Sequence, residues 1–118
     1  MGAKVARPDL EVINIDGDGS FLMNVQELAT IRRYQLPVKI VLLDNQRLGM
    51  VRQWQELFFA ERYSEIDLSD NPDFAALAES LGIHGRRVER PDDLAGAVDE
   101  FLAHDGPALL DVVTARQE

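Results

Sequence analysis

The sequence predicts an α/β fold built on a doubly wound, mainly parallel sheet. Three observations carry that expectation. Short apolar runs alternate with stretches of helical apolar spacing. The run Val38-Lys39-Ile40-Val41-Leu42-Leu43 is almost continuously apolar, as in a parallel strand covered on both faces. Proline opens and glycine closes the later helical stretches. With 118 residues the chain has room for one domain, whose core would remove roughly 65% of the unfolded surface from water.

The elements follow in order. Residues 11–15 come after the turn Arg7-Pro8-Asp9 and read as the first strand. Asp16-Gly17-Asp18-Gly19-Ser20 breaks the pattern with two glycines. From residue 21 to about 33, Phe21, Val25, Leu28, Ala29 and Ile31 share a broad face, which predicts one helix ended by Leu36-Pro37. After the strand at 38–43, residues 44–49 form a loop, and residues 50–59 read as a short helix with Trp54, Leu57 and Phe58 on one side. Residues 60–70 are polar and irregular. Asn71-Pro72 predicts a helix start, with Asn as N-cap and Pro in the first turn. That helix runs through Phe74, Leu77, Ala78 and Leu81 to Gly82. Residues 86–89 suit a short strand, Pro91 opens a helix that ends near Gly106, and residues 108–113 form the last strand. No repeat and no low-complexity tract occurs.

Composition excludes several functions. Twelve basic against 21 acidic residues give a net charge of −9. Basic residues pair up only at Arg32-Arg33 and Arg86-Arg87, so a nucleic-acid partner is not expected. Without cysteine there is neither a disulfide framework nor a thiolate metal site. No apolar run approaches the ~20 residues of a membrane helix, and MGAKVARPD does not read as a signal peptide. A cytoplasmic location is the expectation. Residues 1–59 hold seven basic and seven acidic side chains, so all the net negative charge falls in the second half. The neutral first half can receive an anion without a large opposing field.

Ligands of doubly wound sheets bind beyond the carboxyl ends of the strands. Gly17-Asp18-Gly19-Ser20 follows the first strand directly, and Asp44-Asn45 follows the second. One right-handed crossover separates them, of a length that makes their strands neighbours. Asp18 and Asn45 are thereby delivered to one sheet edge. A hard cation such as Mg²⁺ takes carboxylate, amide and carbonyl oxygens together with phosphate oxygens. The glycines let backbone N–H groups approach a phosphate, and a helix starting near Ser20 adds its positive end. Spacing alone leaves a plain Asp-Gly turn equally open.

Gly17-Asp18-Gly19-Ser20 followed by Asp44-Asn45 resembles the thiamine-diphosphate motif of pyruvate oxidase, pyruvate decarboxylase and acetolactate synthase. That motif begins Gly-Asp-Gly and ends Asn-Asn. Residues 21–28, residues 48–55, Phe58-Phe59, Arg62-Tyr63-Ser64 and Asn71-Pro72-Asp73-Phe74 extend the similarity over essentially the whole chain. They resemble the catalytic (large) subunit of acetolactate synthase. The resemblance implies that Asp18 and Asn45 are side-chain ligands of Mg²⁺ and that Arg47 adds its backbone carbonyl. It implies that Gly17, Gly19 and Ser20 contact the diphosphate and that Met50 lies near the thiazolium end of the cofactor. Trp54 matches the tryptophan that shapes the second-substrate pocket and favours 2-oxobutanoate over pyruvate as acceptor. Asp44 departs from the pattern, which more often has Asn there. Its carboxylate tunes the local charge or touches the metal shell.

The implied reaction decarboxylates pyruvate and joins the product to a second 2-oxo acid, in branched-chain amino-acid biosynthesis. The rest of the implied enzyme lies elsewhere. The activating glutamate belongs to a pyrimidine-binding domain, usually of a partner subunit in a homodimer or tetramer. FAD belongs to a middle domain, and a regulatory small subunit is a further partner. On this reading residues 1–118 are the core of a cofactor-binding domain, a piece of a longer enzyme that is catalytically incomplete alone. Other thiamine-diphosphate decarboxylases or oxidases, and an isolated non-catalytic binding module, are the alternatives. Other residues read as structural. His84 and His104 lack a ligand-spaced partner, Arg86-Arg87 suits a solvated strand edge better than an anion site, and Gln26 and Glu27 suit ordinary helix positions.

Overall fold

The computed structural model describes residues 1–115. Four strands, β1 (Val12–Gly17), β2 (Val38–Asp44), β3 (His84–Val88) and β4 (Ala108–Val113), form one sheet in the order β1-β2-β4-β3. Every neighbouring pair is parallel. The helices are α1 (Gly2–Ala6), α2 (Asp18–Leu22), α3 (Glu27–Arg33), α4 (Gly49–Phe58), α5 (Phe74–Ser80) and α6 (Pro91–Ala103). The α/β, parallel-sheet expectation holds.

Helices lie on both faces, because alternate residues of each strand feed two cores. Val38, Ile40 and Leu42 of β2, with Leu109 of β4, meet Phe21 of α2, Leu28 and Ile31 of α3, and Phe74 and Ala78 of α5. Phe21 and Phe74 meet edge to face with centroids 5.6 Å apart. Such a pair adds about 1 kcal/mol beyond its buried area. On the other face Ala97 and Phe101 of α6 pack against Val88, Ala108 and Leu110. That second layer covers only the β3–β4 half. Ile13, Ile15 and Leu43 share its face and stay 48%, 69% and 44% exposed. The radius of gyration is 15.6 Å, against about 13.5 Å for a compact domain of this length.

Four local expectations need correction. The helix expected over residues 21–33 is two helices, because the backbone at 23–28 makes i→i−3 bonds, such as Asn24 N–H to the Phe21 carbonyl, in place of i→i−4 bonds. The N-cap of α5 is Asp73, whose Oδ1 accepts from Ala76 N–H at 2.9 Å; Asn71 is used elsewhere. The last part of the expected 16–20 break is already helical, since β1 runs to Gly17 and α2 starts at Asp18. The third strand spans His84–Val88, two residues earlier than expected at its start.

Lys39 sits inside the apolar strand β2 yet is only 3% exposed. Its Nζ donates to the carbonyls of His104 and Gly106 just past α6 and lies 5.8 Å from the Phe101 ring centroid. Burial lowers its pKa from the usual lysine value, while Glu11 and Asp105 pull it back. The ammonium thereby ties the amino end of the sheet to the carboxyl end of α6.

Candidate functional site

The carboxyl ends of β1 and β2 build one groove. Gly17 pairs with Leu43 across the two strands, so the residues that follow each strand emerge side by side. The groove, of about 470 Å³, is lined by Gly17, Asp18, Gly19, Ser20, Asn45, Arg47 and Met50, with Met23, Leu43, Leu48, Gly49 and Val51. The tertiary structure therefore brings together every predicted site residue except Trp54.

Asp18 is the first residue of α2 and is 2% exposed. Its Oδ2 accepts from Asn71 Nδ2 at 2.9 Å. Burial raises its pKa above the usual aspartate value. The Gly19 N–H and Asn71 oppose that shift, and the adjoining Asp44 carboxylate adds to it. A divalent cation would relieve that strain by supplying positive charge. Asp16 is drawn into the same turn, where its Oδ1 accepts from Gly17 N–H at 3.0 Å and from Ser20 Oγ.

On the other side, residues 44–47 form two overlapping side-chain turns. Asp44 Oδ1 accepts from Gln46 N–H at 3.2 Å, and Asn45 Oδ1 accepts from Arg47 N–H at 3.1 Å. They hold Gln46 at φ +55°, a left-handed conformation unusual for a residue with a side chain. Leu48 N–H donates to the Ile66 carbonyl and Leu68 N–H to the Gln46 carbonyl, flanking an antiparallel bridge between Arg47 and Asp67. In that pairing the Arg47 carbonyl points away from the 66–68 segment.

The donor set fits a hard cation. Asp18, Asn45 and the Arg47 carbonyl offer only oxygen. No cluster of three or more His, Cys, Asp or Glu suited to a metal occurs among the described residues. Mg²⁺ tolerates so few protein ligands because it completes its octahedron with water and phosphate oxygens. Gly19 also has a packing role. A Cβ on Gly19 would lie 2.6 Å from Leu48 Cδ2 and 3.2 Å from Leu68 Cδ1, so those leucine side chains would have to shift to admit one and Gly19 lets α2 pack closely against the 46–48 loop.

The helix after the loop forms, but not as a core helix. No residue of α4 is buried, and Met50, Trp54, Leu57 and Phe58 are 68%, 59%, 66% and 70% exposed. Trp54 is therefore not part of the core of this chain. Trp54 instead meets Phe58 edge to face at 6.2 Å and stands outside the groove lining. An exposed apolar face of this extent marks a contact surface.

Sequence reasoning missed three features. Asn71 reaches Asp18 over 53 positions, and no local pattern signals that. Arg87, read as solvated, donates to the buried Asp111 at 2.6 Å and Asp44 at 3.3 Å. His84 and His104, read as lacking partners, stack at 4.6 Å, and His84 faces Glu79 and Glu100 at 3.6 Å each. The His104 pKa is lowered by burial first and by the neighbouring His84 second. This pair lies at the amino edge of the sheet, remote from the groove.

Residues 1–112 match the family described as thiamine pyrophosphate enzyme, C-terminal TPP binding domain. The chain is 64% identical over 112 residues to the acetolactate synthase isozyme 2 large subunit of Escherichia coli (strain K12), covering 95% of this chain and 20% of that protein. It is 50% identical over 113 residues to a probable acetolactate synthase large subunit of Methanocaldococcus jannaschii, covering 96% and 19%. Among solved structures, the Rhodococcus jostii RHA1 thiamine diphosphate-dependent 4-hydroxybenzoylformate decarboxylase superposes with a TM-score of 0.90 at 33% identity, over 99% of this chain and 22% of that one. The chain thus spans about a fifth of the length of the curated relatives it matches. With the family matched over nearly its whole length, the chain belongs to the C-terminal TPP-binding domains of thiamine pyrophosphate enzymes.

Proposed function

We propose that this chain is the thiamine-diphosphate anchor of an acetolactate synthase large subunit and that it binds the cofactor through Mg²⁺. The observation that carries the reading is the convergence of Asp18 and Asn45, from adjacent parallel strands, on one groove that also holds Met50. Asp18 supplies a carboxylate oxygen, Asn45 its side-chain oxygen and Arg47 a backbone carbonyl. The turn residues Gly17, Gly19 and Ser20 would contact the diphosphate. Bound thiamine diphosphate supplies the carbon nucleophile and electron sink for cleaving a 2-oxo acid. The residues of this chain anchor and orient it; none of them transfers the proton.

Met50 borders the groove, where it would lie near the thiazolium end of the bound cofactor. Trp54, one turn further along α4, is exposed toward whatever covers that helix. In the whole enzyme it shapes the pocket for the acceptor, 2-oxobutanoate or a second pyruvate. The pyrimidine-binding domain of a partner subunit supplies the activating glutamate, within a homodimer or tetramer. FAD on a middle domain, a regulatory small subunit and a cytoplasmic location belong to the same proposal. The structural contribution to the last is narrow: among the described residues no helix is long and apolar enough to cross a membrane. The similarity to a 4-hydroxybenzoylformate decarboxylase favours one second reading, a decarboxylase on the same scaffold. The higher identity to acetolactate synthases weighs against it.

The test uses Trp54, the single tryptophan. Its fluorescence is titrated with thiamine diphosphate, with and without Mg²⁺, on the wild-type chain and on Asp18→Ala. Saturable binding that requires both Mg²⁺ and Asp18 supports the proposal, and binding indifferent to both refutes it. The 118-residue chain alone should form no acetolactate from pyruvate.

A further inference from the structure

Arg87 stands on β3, two strands away from β2, yet it reaches the turn that carries Asn45. Its Nη1 donates to Asp111 Oδ2 at 2.6 Å and to Asp44 Oδ2 at 3.3 Å, and its Nε donates to Glu89 Oε1 at 3.0 Å. Arg87 and Asp111 are register partners, and the group lies on the sheet face covered by α2 and α5. Asp44 is 1% exposed and Asp111 is fully buried. Asp111 Oδ1 has no hydrogen-bond partner among the described residues.

Two carboxylates buried this closely, with Asp18 beside them, repel unless a cation lies among them. Arg87 is that cation. It also fixes Asp44 mechanically. One Asp44 oxygen is taken by Arg87 and the other by Gln46 N–H, while the Asp44 carbonyl accepts from Thr114 N–H at 2.9 Å. Asp44 is thereby held at the base of the turn, beside Asp18, with both of its carboxylate oxygens already engaged.

On the reading that Asp18 and Asn45 hold Mg²⁺, we propose that Arg87, seated by Asp111, is a positioning residue for the cation. It clamps Asp44 so that the turn presents Asn45, and not Asp44, to the metal. An uncharged residue at position 44 would remove the need for the clamp, so the effect of losing Arg87 depends on what stands at 44.

The experiment is a double-mutant cycle on the full chain. Mg²⁺-dependent binding of thiamine diphosphate is measured by calorimetry for wild type, Arg87→Gln, Asp44→Asn and the double variant, with circular dichroism and thermal unfolding of each. Arg87→Gln should weaken Mg²⁺-supported binding about tenfold, the scale of a lost outer-sphere partner. In the double variant that loss should disappear, leaving the affinity of Asp44→Asn. Independent effects of the two substitutions, or wild-type affinity in Arg87→Gln, overturn the proposal. If Arg87→Gln alone fails to fold because Asp111 is left unpaired, the cycle is run in the Asp111→Asn background, where a binding loss from Arg87→Gln that Asp44→Asn abolishes supports the clamp and independent effects overturn it. Asp18→Ala run alongside separates the two ideas. Retained binding there refutes the metal site itself, whereas lost binding there with no Arg87–Asp44 coupling refutes only the clamp.

Discussion

Asn71 donates its side-chain amide to Asp18 Oδ2 at 2.9 Å, joining residues 53 positions apart. The contact fixes one oxygen of the buried carboxylate. It also pins the entry to α5 against the start of α2, whose Phe74 and Phe21 pack just beneath.

Asn71→Ala should therefore loosen the site more than the fold. We expect about tenfold weaker Mg²⁺-dependent thiamine diphosphate binding, as for other outer-sphere partners. The stability loss should be about 1 kcal/mol, the worth of one hydrogen bond. Calorimetric titration and urea unfolding measure the two effects separately.

Asp18→Asn should separate stability from binding in opposite directions. The Asp18 carboxyl has its pKa raised by burial, helped by Asp44, so its ionised form is a cost to the metal-free fold at neutral pH. The amide removes that cost and keeps the shape. The metal-free variant should melt a few degrees higher than wild type at pH 7, and its thiamine diphosphate binding should no longer respond to Mg²⁺.

Asp111 predicts a pH dependence. Burial pushes its carboxyl up to about 6, against the pull of Arg87, from an unfolded value of 3.8. Between those values the folded chain holds a proton that the unfolded chain has lost, so stability falls as pH rises through the window. The group's share is about 3 kcal/mol, present below pH 3.8 and lost above about 6. Urea unfolding from pH 4 to 7 should show wild type losing stability relative to Asp111→Asn by that amount. A constant difference between the two would contradict the assignment.

Trp54→Ala and Phe74→Ala should behave oppositely in the isolated chain. Trp54 is 59% exposed and Phe74 is fully buried. The first should change stability by less than about 0.5 kcal/mol, and the second should cost about 3–5 kcal/mol. Thermal or urea unfolding decides, and a large loss from Trp54→Ala would mean that α4 packs inward.

Gly85→Ala tests a close approach between layers. A Cβ there would stand 2.3 Å from the Ala75 carbonyl oxygen, which is backbone and cannot turn aside. Separating α5 from β3 should cost about 1–3 kcal/mol, read as a lower urea midpoint.

The strands, the parallel class and the groove were legible in the sequence because they rest on local signals. The apolar run of β2, the Gly17-Asp18-Gly19-Ser20 turn and the Asp44-Asn45 pair each sit within a few residues, and one crossover of ordinary length makes their strands neighbours. Tertiary structure decided the rest. It gave Asn71 to Asp18 and left the cap of α5 to Asp73. It carried Arg87 across β4 to Asp44, and it left the apolar side of α4 exposed. Hydrophobic period reports which residues avoid water within one element, but not which element, or which chain, lies opposite. Long-range pairing of buried charge depends on strand order, and here the order β1-β2-β4-β3 alone brings Arg87, Asp111 and Asp44 to one end of one face.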